Sequence, residues 1–389
     1  MKLIQITAGV ALLFASCPSI LAAPTPLSRR ATTCTVKSSG GGDDTPNIVD
    51  AFESCNNGGT VEFPKGSEYN LKTVIYIEKL QDITIDFQGT INLPSYNTKF
   101  EDEKAFIYLR GDNIHFSGAG TINGNGQGWY DAVNRKAPPL FKPRASNSYF
   151  GGFSIVKAPR SHFSVNNCEN VVFDNININT VSDDEEKDAH NTDAFDVSDS
   201  TGIVIQNSKI VNGDDCIAVN GGAHNLTVTG LDCTGSHGFS VGSLGKKSDE
   251  VDEVSDLKFI SNVCNDCQNG VRIKTWSGGQ GSVKGIVFDD IELNNVEHPI
   301  LITTHYCDNQ QQEYCDGEDS HSLTISDVSI TNIRGSASQK QHPIVDINCS
   351  KDTPCTDFTL SEIDITPSSK TEDNVCINLK GSDKISYCN

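Results

Sequence analysis

Short stretches of alternating apolar and polar residues recur along the chain, and most of them begin with asparagine, aspartate or glycine. The repeats lie at residues 82–85, 113–116, 170–173, 202–205, 225–228, 256–259, 285–288, 322–325 and 357–360. Several are followed by a second alternating stretch, at 174–178, 291–293, 328–330 and 363–365. Alternation at period two with β-branched residues predicts strands, and the flanking residues predict turns.

The spacing of these repeats, on the order of 20–40 residues, lies in the range of solenoids and propellers. A propeller needs four antiparallel strands per blade and a blade signature, which the sequence lacks. A helical solenoid needs long amphipathic helices, which are also missing. The pattern therefore predicts an all-β, single-domain parallel β-helix, with loops of variable length between its turns. Residues 45–55 are expected to form a helix that covers its N-terminal end.

The first thirty residues have the pattern of a secretory leader. Lys2 precedes an apolar run from Ile4 to Ala15, and small residues end at Ala23. This predicts a signal peptide at 1–23, because the run is too short to span a bilayer. Residues 24–30 end in Arg29-Arg30 and are expected to be a short pro-segment, which leaves 31–389 as the parallel β-helix domain. The protein is expected to be secreted and extracellular, with no membrane partner.

Thirteen cysteines lie outside the predicted signal peptide, so at least one is free or paired between chains. Pairing between cysteines close in sequence is expected, although sequence alone does not determine the connectivity: Cys34–Cys55, Cys216–Cys233, Cys307–Cys315, Cys349–Cys355 and Cys376–Cys388. Cys264 and Cys267 form a CxxC sequence whose role stays open. Cys168 is expected to be a small buried hydrophobic residue. Asn225 and Asn348 each begin a glycosylation sequon.

The formal net charge is −21, from 51 acidic and 30 basic residues. A solvated acidic surface keeps a secreted protein soluble and argues against a nucleic-acid partner, which needs a basic surface. We expect a monomer without a cofactor or metal. An anionic substrate then requires a local cluster of basic residues.

Four polar clusters follow one another in the middle of the chain at roughly the repeat spacing. They are Asn191-Thr-Asp193, Gly213-Asp-Asp-Cys216, Ser236-His-Gly238 and Arg272-Ile-Lys274. In a parallel stack such positions lie beside one another on one face.

The chemistry of these clusters fits glycoside hydrolysis, which needs a carboxylic acid for the leaving oxygen and a second carboxylate for water or the sugar carbon. Neighbouring side chains on a regular strand point to opposite faces, so Gly213 is expected to form a bulge or turn that presents both Asp214 and Asp215. Clustered aspartates repel one another, so one can keep its proton. Arg272 and Lys274 point the same way and can bind a carboxylate.

The four clusters, in this order, resemble the signatures of the polygalacturonase family of glycoside hydrolases, which degrade pectin on a right-handed parallel β-helix. The resemblance implies that Asp214 is the general acid, that Asp193 and Asp215 hold and deprotonate the water, and that hydrolysis inverts the anomeric carbon. His237 is expected to tune the acid. Among substrate-binding residues, Arg272 and Lys274 are expected to hold a galacturonate carboxylate, Tyr306 to contact substrate, and Asn191 to orient Asp193.

The sequence flanking these clusters is similar to that of fungal exo-polygalacturonases. The similar segments are 123–127 leading to Trp129, 235–238, 241–245 and 250–254. Endo-polygalacturonase and xylogalacturonan hydrolase stay open as alternatives, and Ala194 replaces the family's usual glycine. Pectate lyase and a non-catalytic pectin-binding β-helix are remote alternatives. The acidic run 183–188 is expected to close one side of the cleft, and it lacks the spacing of an EF-hand calcium loop.

Overall fold

The structure is a computed structural model that describes residues 32–388, except 309, 310, 316 and 318. The predicted signal peptide and pro-segment, 1–30, lie outside the described residues. Among the described residues are helices α1 (Thr45–Cys55) and α2 (Gln127–Asp131) and 27 strands, and every strand pairing is parallel. None of the helices in this part of the chain is both long enough and apolar enough to cross a membrane.

The strands, in chain order, are β1 (Thr33–Thr35), β2 (Thr60–Phe63), β3 (Glu68–Asn70), β4 (Ile75–Phe87), β5 (Thr90–Asn92), β6 (Ile107–Ser117), β7 (Thr121–Asn123), β8 (Phe141–Gly151), β9 (Ser154–Val156), β10 (Phe163–Asn166), β11 (Glu169–Asp174), β12 (Asn177–Asn179), β13 (Phe195–Ser198), β14 (Thr201–Gln206), β15 (Lys209–Val211), β16 (Ile217–Val219), β17 (His224–Thr229), β18 (Asp232–Thr234), β19 (Phe239–Leu244), β20 (Val251–Asn265), β21 (Asn269–Trp276), β22 (Gln280–Val296), β23 (His298–Tyr306), β24 (Thr324–Ala337), β25 (Val345–Asn348), β26 (Thr356–Thr366) and β27 (Val375–Ile377).

The strands stack into three faces, as expected for the predicted right-handed parallel β-helix, and the fold prediction is confirmed. The first face contains β8, β10, β13, β16, β19, β21, β23, β25 and β27. The second contains β8, β11, β14, β17, β20, β22, β24 and β26. The third begins with β3, β5, β7, β9, β12, β15, β18 and β20. Long strands such as β8 and β20 turn a corner and belong to two faces.

The polar residue that begins each repeat marks a corner of the coil. The leading residues have left-handed backbone, with φ between +47° and +70°, at Asp82, Asn113, Asn170, Gly202, Asn225, Asp256, Gly285 and Asp357. Only glycine, and to a lesser extent asparagine and aspartate, adopts this conformation readily. The repeats therefore begin where the chain must bend, which is why the pattern could be recognised from sequence.

One repeat was assigned wrongly and another was missed. Val328 pairs with Ile286 and Phe358, which are the first apolar residues of the neighbouring repeats. The copy in this turn of the coil therefore starts at Asp327 and not at residue 322. A further copy at 147–150 was missed because Ser148 takes an aliphatic position. Its buried hydroxyl is tolerated because it accepts from the Ile114 N–H at 2.9 Å and donates to the Ser146 carbonyl at 2.6 Å.

The interior of the coil is filled by stacked rows of side chains, as in the Phe163–Phe195 pair, whose ring centroids are 5.0 Å apart. The predicted helix α1 is present and buries Ile48 and Phe52 at the N-terminal end. The five predicted cystine pairs are confirmed, Cys264–Cys267 is a sixth disulfide, and Cys168 is free and buried.

Candidate active site

A cleft of about 660 Å³ lies on the outer surface of the first face. Its floor follows the outward position of successive strands, from Asp196 through Ala218 and Ser240 to Arg272. The eight predicted site residues all line this cleft: Asn191, Asp193, Asp214, Asp215, His237, Arg272, Lys274 and Tyr306. Residues far apart in the sequence meet here because parallel stacking places equivalent positions about 4.8 Å apart.

Asp214 and Asp215 lie on a turn between β15 and β16 rather than on a strand, in agreement with the turn expected at Gly213. The buried Asn212 side chain fixes this turn by donating to the carbonyls of Thr192, Asp214 and Asp215 at 2.8 to 3.0 Å. Gly213 is needed for close approach and not for a left-handed φ. A Cβ atom there would lie 2.6 Å from the carbonyl oxygen of Ala189.

Asp215 is the most enclosed of the aspartates and is bound by two cations. Arg272 Nη2 lies 2.6 Å from its Oδ1, and Lys274 Nζ lies 2.9 Å from its Oδ2. Ser240 links the group, since its hydroxyl donates to Asp215 at 2.8 Å and accepts from Arg272 Nε at 2.9 Å. Burial acts to raise the pKa of Asp215, but the charges of Arg272 and Lys274 outweigh it and hold the pKa below its usual range.

Asp214 is more accessible, with 16% of its side chain exposed to the cleft. His237 Nδ1 lies 3.0 Å from its Oδ1, and that oxygen also accepts the Asp215 N–H at 2.8 Å. Asn191 Nδ2 lies 3.4 Å from Oδ2 of Asp214. The expectation that Asn191 orients Asp193 is therefore wrong, because the amide points across the turn to Asp214.

Asp193 ends the loop before β13, and its backbone is held by a histidine that sequence analysis missed. His162 donates from N–H and from Nδ1 to the Asp193 carbonyl at 2.9 and 3.0 Å, and its Nε2 accepts from Thr180 Oγ1 at 2.8 Å. Burial lowers the pKa of His162 to about 4, so the ring is neutral near neutral pH. His162 is thus a positioning residue beneath the cleft.

Two carboxyl groups of the cleft have a raised pKa. Burial raises the pKa of Asp193 well above its usual range, and the charges of Asp196, Asp214 and Asp215 add to this. Burial also raises the pKa of Asp196 to about 6, although a hydrogen bond with Ser161 and the charge of Arg160 oppose it. Asp196 was not assigned a role from sequence. Its outward position in the alternating strand β13 was the available signal.

The far wall of the cleft is formed by Tyr306 and the residues after it. The ring packs edge-on against Trp276, with centroids 4.9 Å apart, and Lys274 Nζ lies 5.3 Å from its centroid. Burial raises the pKa of Tyr306 to about 12, so the hydroxyl keeps its proton.

The acidic run 183–188 does not line the cleft, contrary to expectation. Asp183 is hydrogen-bonded to Gln127 of α2 and paired with Lys157, so this part of the loop is turned away. The next residues, His190 and Asn191, form the wall of the cleft instead.

Asp214, Asp215 and His237 each offer one possible metal-ligand atom, and these atoms lie within 4.8 Å of one another. Their contacts account for this closeness without an ion, because His237 is hydrogen-bonded to Asp214 and two cations neutralise Asp215.

Comparison with known proteins places this geometry in a family. The profile of glycosyl hydrolases family 28 matches residues 55–386. An exopolygalacturonase of Rhizopus delemar is 48% identical over 92% of both chains, and one of Cochliobolus carbonum is 36% identical over 90% of this chain and 84% of its own.

Among solved structures, the endo-xylogalacturonan hydrolase of Aspergillus tubingensis matches with a TM-score of 0.81 and 27% identity, over 90% of this chain and 97% of its own. An exopolygalacturonase of Thermotoga maritima shares the fold, with a TM-score of 0.69 and 18% identity over 86% of this chain and 87% of its own. From the profile match and from relatives of this identity and coverage, the chain is a member of glycosyl hydrolases family 28.

Proposed function

We propose that this protein is an exo-acting hydrolase of polygalacturonate that cleaves α-1,4-galacturonosyl linkages by single displacement and releases galacturonic acid. The observation that carries the proposal is one cleft in which three aspartates meet two nearly buried cations. The carboxyl groups supply acid and base chemistry, and the cations supply recognition of an acidic sugar. The names of the relatives agree with this substrate.

Asp214 is the proposed general acid. It is the aspartate that contacts His237, and its second oxygen, Oδ2, faces Asn191 and the cleft. After Asp214 has protonated the leaving sugar, it can take up a new proton from His237. His237 is 36% exposed, so it can in turn exchange protons with solvent.

Asp193 and Asp215 are the proposed water-binding pair, with unequal roles. Burial favours a proton on Asp193, so this group donates a hydrogen bond to the water in the free protein. Asp215 is ionised and can accept the proton, but its two ion pairs make it a weak base. If Arg272 and Lys274 also form ion pairs with a substrate carboxylate, they bind Asp215 less strongly, and the basicity of Asp215 rises. Substrate binding would then activate the base.

The proposed inversion rests on the third carboxyl group. The nearest oxygens of Asp214 and Asp215 lie within 4.8 Å, closer than the roughly 6.5–9.5 Å that separates the two carboxyl groups of most inverting glycosidases. Asp193 enlarges the acidic site on the neighbouring turn of the coil and provides a place for water beside Asp215. A purely two-carboxylate site with the same separation would favour retention, so stereochemistry is a sharp test.

Exo action is supported by the relatives named exopolygalacturonases and by the wall that His190 and Asn191 form on one side of the cleft. The alternative is endo action, on polygalacturonate or on xylogalacturonan, and the fold shared with an endo-xylogalacturonan hydrolase keeps it as the second candidate. Secretion, also proposed, is supported by six disulfides, which persist in oxidising compartments.

The direct test is incubation with polygalacturonate in the presence of a chelator. We expect new reducing ends without UV-absorbing unsaturated products. Formation of unsaturated products, or loss of activity with the chelator, would indicate a calcium-dependent lyase instead.

A further inference from the structure

A basic surface lies on the first face towards the N-terminal end, outside the catalytic cleft. It consists of Lys104, Arg110, Lys142 and Arg144 with the exposed ring of Tyr76, which stacks on the buried Tyr108, and we call it the basic face. None of these six residues lines the cleft.

Strand register connects the basic face to the catalytic site. Asp196 pairs with Ser164, and the adjacent pairing of Phe163 with Phe141 places Lys142 one strand further. Lys142 is therefore two strands, or about 10 Å, from Asp196. The same row continues from Lys142 to Tyr108 and Tyr76. A polymer that lies along the coil axis can follow this row.

Two of the four cations of the basic face, Lys142 and Arg144, have no carboxylate partner among the described contacts. Lys142 and Arg144 are partly buried and outward-facing on β8, and the structure describes no ion pair or side-chain hydrogen bond for either. Burial lowers the pKa of Lys142, and the neighbouring charges of Arg144 and Lys104 lower it further. Glu78 is a carboxylate of this region: it lies 3.6 Å from Arg110 and accepts from the Tyr76 hydroxyl at 3.0 Å, so it partly neutralises the side of the face that holds Arg110 and Lys104. In a chain of net charge −21, this excess of positive charge is local and specific.

Lys104 contacts the rings of both Tyr76 and Tyr108. Tyr76 and Tyr108 are stacked, with centroids 4.6 Å apart and planes at 10°. Lys104 Nζ lies over both rings, at 5.0 and 5.6 Å from their centroids, and donates to the Tyr76 hydroxyl at 3.1 Å. Tyr76 is 43% exposed, so its ring offers an apolar surface beside the cations. Lys142, in one row with this exposed ring, and Arg144 on the same strand have no described ion pair, and this arrangement suits a chain of sugars that carries carboxylates.

We propose that the basic face is a second binding site for the galacturonate polymer, distinct from the catalytic cleft. This inference rests on the proposed function for its choice of polyanion. The occupant is either the chain being cleaved, continuing past the aspartates, or a neighbouring chain that anchors the enzyme to its substrate. Both have the same chemistry.

The test compares two double variants that remove the same charge. Lys142→Gln with Arg144→Gln removes two cations of the basic face. The control, Lys258→Gln with Lys284→Gln, removes two exposed lysines from β20 and β22 on the second face. Both are made in an Asp214→Asn background, and binding is measured by retardation in a gel that contains polygalacturonate, at low and high salt. Circular dichroism and thermal unfolding check that each is folded.

We expect the basic-face variant to bind polygalacturonate about fivefold more weakly than its control at low salt, and the difference to shrink at high salt. Equal binding by the two variants would overturn the proposal. The proposal would also be overturned if the basic-face variant lost as much binding to a fully methyl-esterified polymer, which lacks the carboxylates, as it loses to polygalacturonate. Because the assay needs no turnover, it separates the two ideas. If the wild type hydrolyses nothing yet binding still depends on the basic face, the proposed function fails and this inference stands.

The same two double variants are then made with Asp214 intact, so that turnover can be measured. For each protein, kcat/KM for polygalacturonate is divided by kcat/KM for digalacturonate. This ratio should fall about fivefold in the basic-face variant and stay unchanged in the control. If the loss already appears with short oligogalacturonates, the cleaved chain itself occupies the basic face. If it appears only with the long polymer, a neighbouring chain does. No change in this ratio would contradict the proposal.

Discussion

Arg272 Nη2 lies 2.6 Å from Oδ1 of Asp215, and both side chains are more than nine-tenths buried. A buried carboxylate and guanidinium are stable only when each has its partner, because an unpaired charge is costly to remove from water. The pair therefore does two things. It keeps Asp215 ionised, and it places a cation at the floor of the cleft.

Replacing Arg272 by methionine should lower the free energy of unfolding by about 3 kcal/mol, since it removes one of the two described ion pairs of the buried Asp215 and leaves the one with Lys274. Asp215→Asn should also destabilise, because it leaves two neighbouring cations. The double variant should be more stable than the sum of the two losses, by about 1–3 kcal/mol. Chemical denaturation of the four proteins measures this. Losses that simply add would mean that the ion pair contributes no coupling.

Asp214→Asn should lower kcat by a factor of at least about 100, because an amide of nearly the same shape cannot donate the proton to the leaving oxygen. The fold should be unaffected, since Asp214 is the more accessible aspartate and its turn is held by Asn212. Turnover is measured as reducing ends released from polygalacturonate. A folded variant with activity near that of the wild type would show that another group is the acid.

Asp196 should add to stability on acidification from about pH 6.5 to pH 4.5, relative to an Asp196→Asn variant. The pKa of Asp196 is about 6 in the folded protein and near 3.8 in the unfolded chain, and the pKa of Asp193 is also raised. In this range Asp196 binds more protons in the folded than in the unfolded state, so its contribution to the free energy of unfolding falls as pH increases. Burial lowers the pKa of His162 and of His298 to about 4, which acts in the opposite direction, and comparison with the variant separates the two effects.

The difference for Asp196 is on the order of 1–3 kcal/mol. Thermal unfolding of both proteins at several pH values tests this, and the stability that Asp196→Asn loses relative to the wild type should grow as the pH falls. An Asp196→Asn protein with the same pH dependence of stability as the wild type would contradict the assignment. Asp215, whose pKa is lowered, affects stability only below about pH 4, outside this range.

The first product of hydrolysis should have the inverted anomeric configuration. The proposed base acts on water and no sugar becomes bonded to the enzyme, so one displacement occurs. Proton NMR in the first minutes, before mutarotation, distinguishes the two anomers. Retention of the α-configuration would point to a nucleophilic carboxylate, and the short separation of Asp214 and Asp215 makes that a real alternative.

Much of the fold could be predicted because each turn of the coil repeats one physical requirement. A left-handed corner residue followed by alternating apolar positions gave the strands, and the sequence-local cystine pairs gave the disulfides. The copy at 147–150 was missed because Ser148 is polar, and the hydrogen bond that satisfies its hydroxyl inside the coil could not be predicted from the sequence. The copy near 322–325 was misplaced because an apolar segment before the corner has the same alternation.

The residues of the candidate site could be predicted, but their pairing could not. Arg272 and Lys274 were expected to face substrate, and in the free protein both bind Asp215. Asn191 was assigned to the wrong aspartate, since the direction of a side chain on a left-handed residue depends on the loop around it. His162 and Asp196 were missed because neither belongs to a recognised cluster, and their roles arise from strands that meet only in the folded coil.

A time course of products and viscosity with polygalacturonate tests the central claim most directly. Exo action predicts that free galacturonic acid is the main product from the first minutes, while viscosity falls slowly in proportion to the bonds cleaved. The Asp214→Asn protein serves as the control for both readings. A rapid loss of viscosity at low conversion, with a ladder of oligogalacturonates and little monomer, would contradict exo action and show that the cleft accepts the interior of the chain.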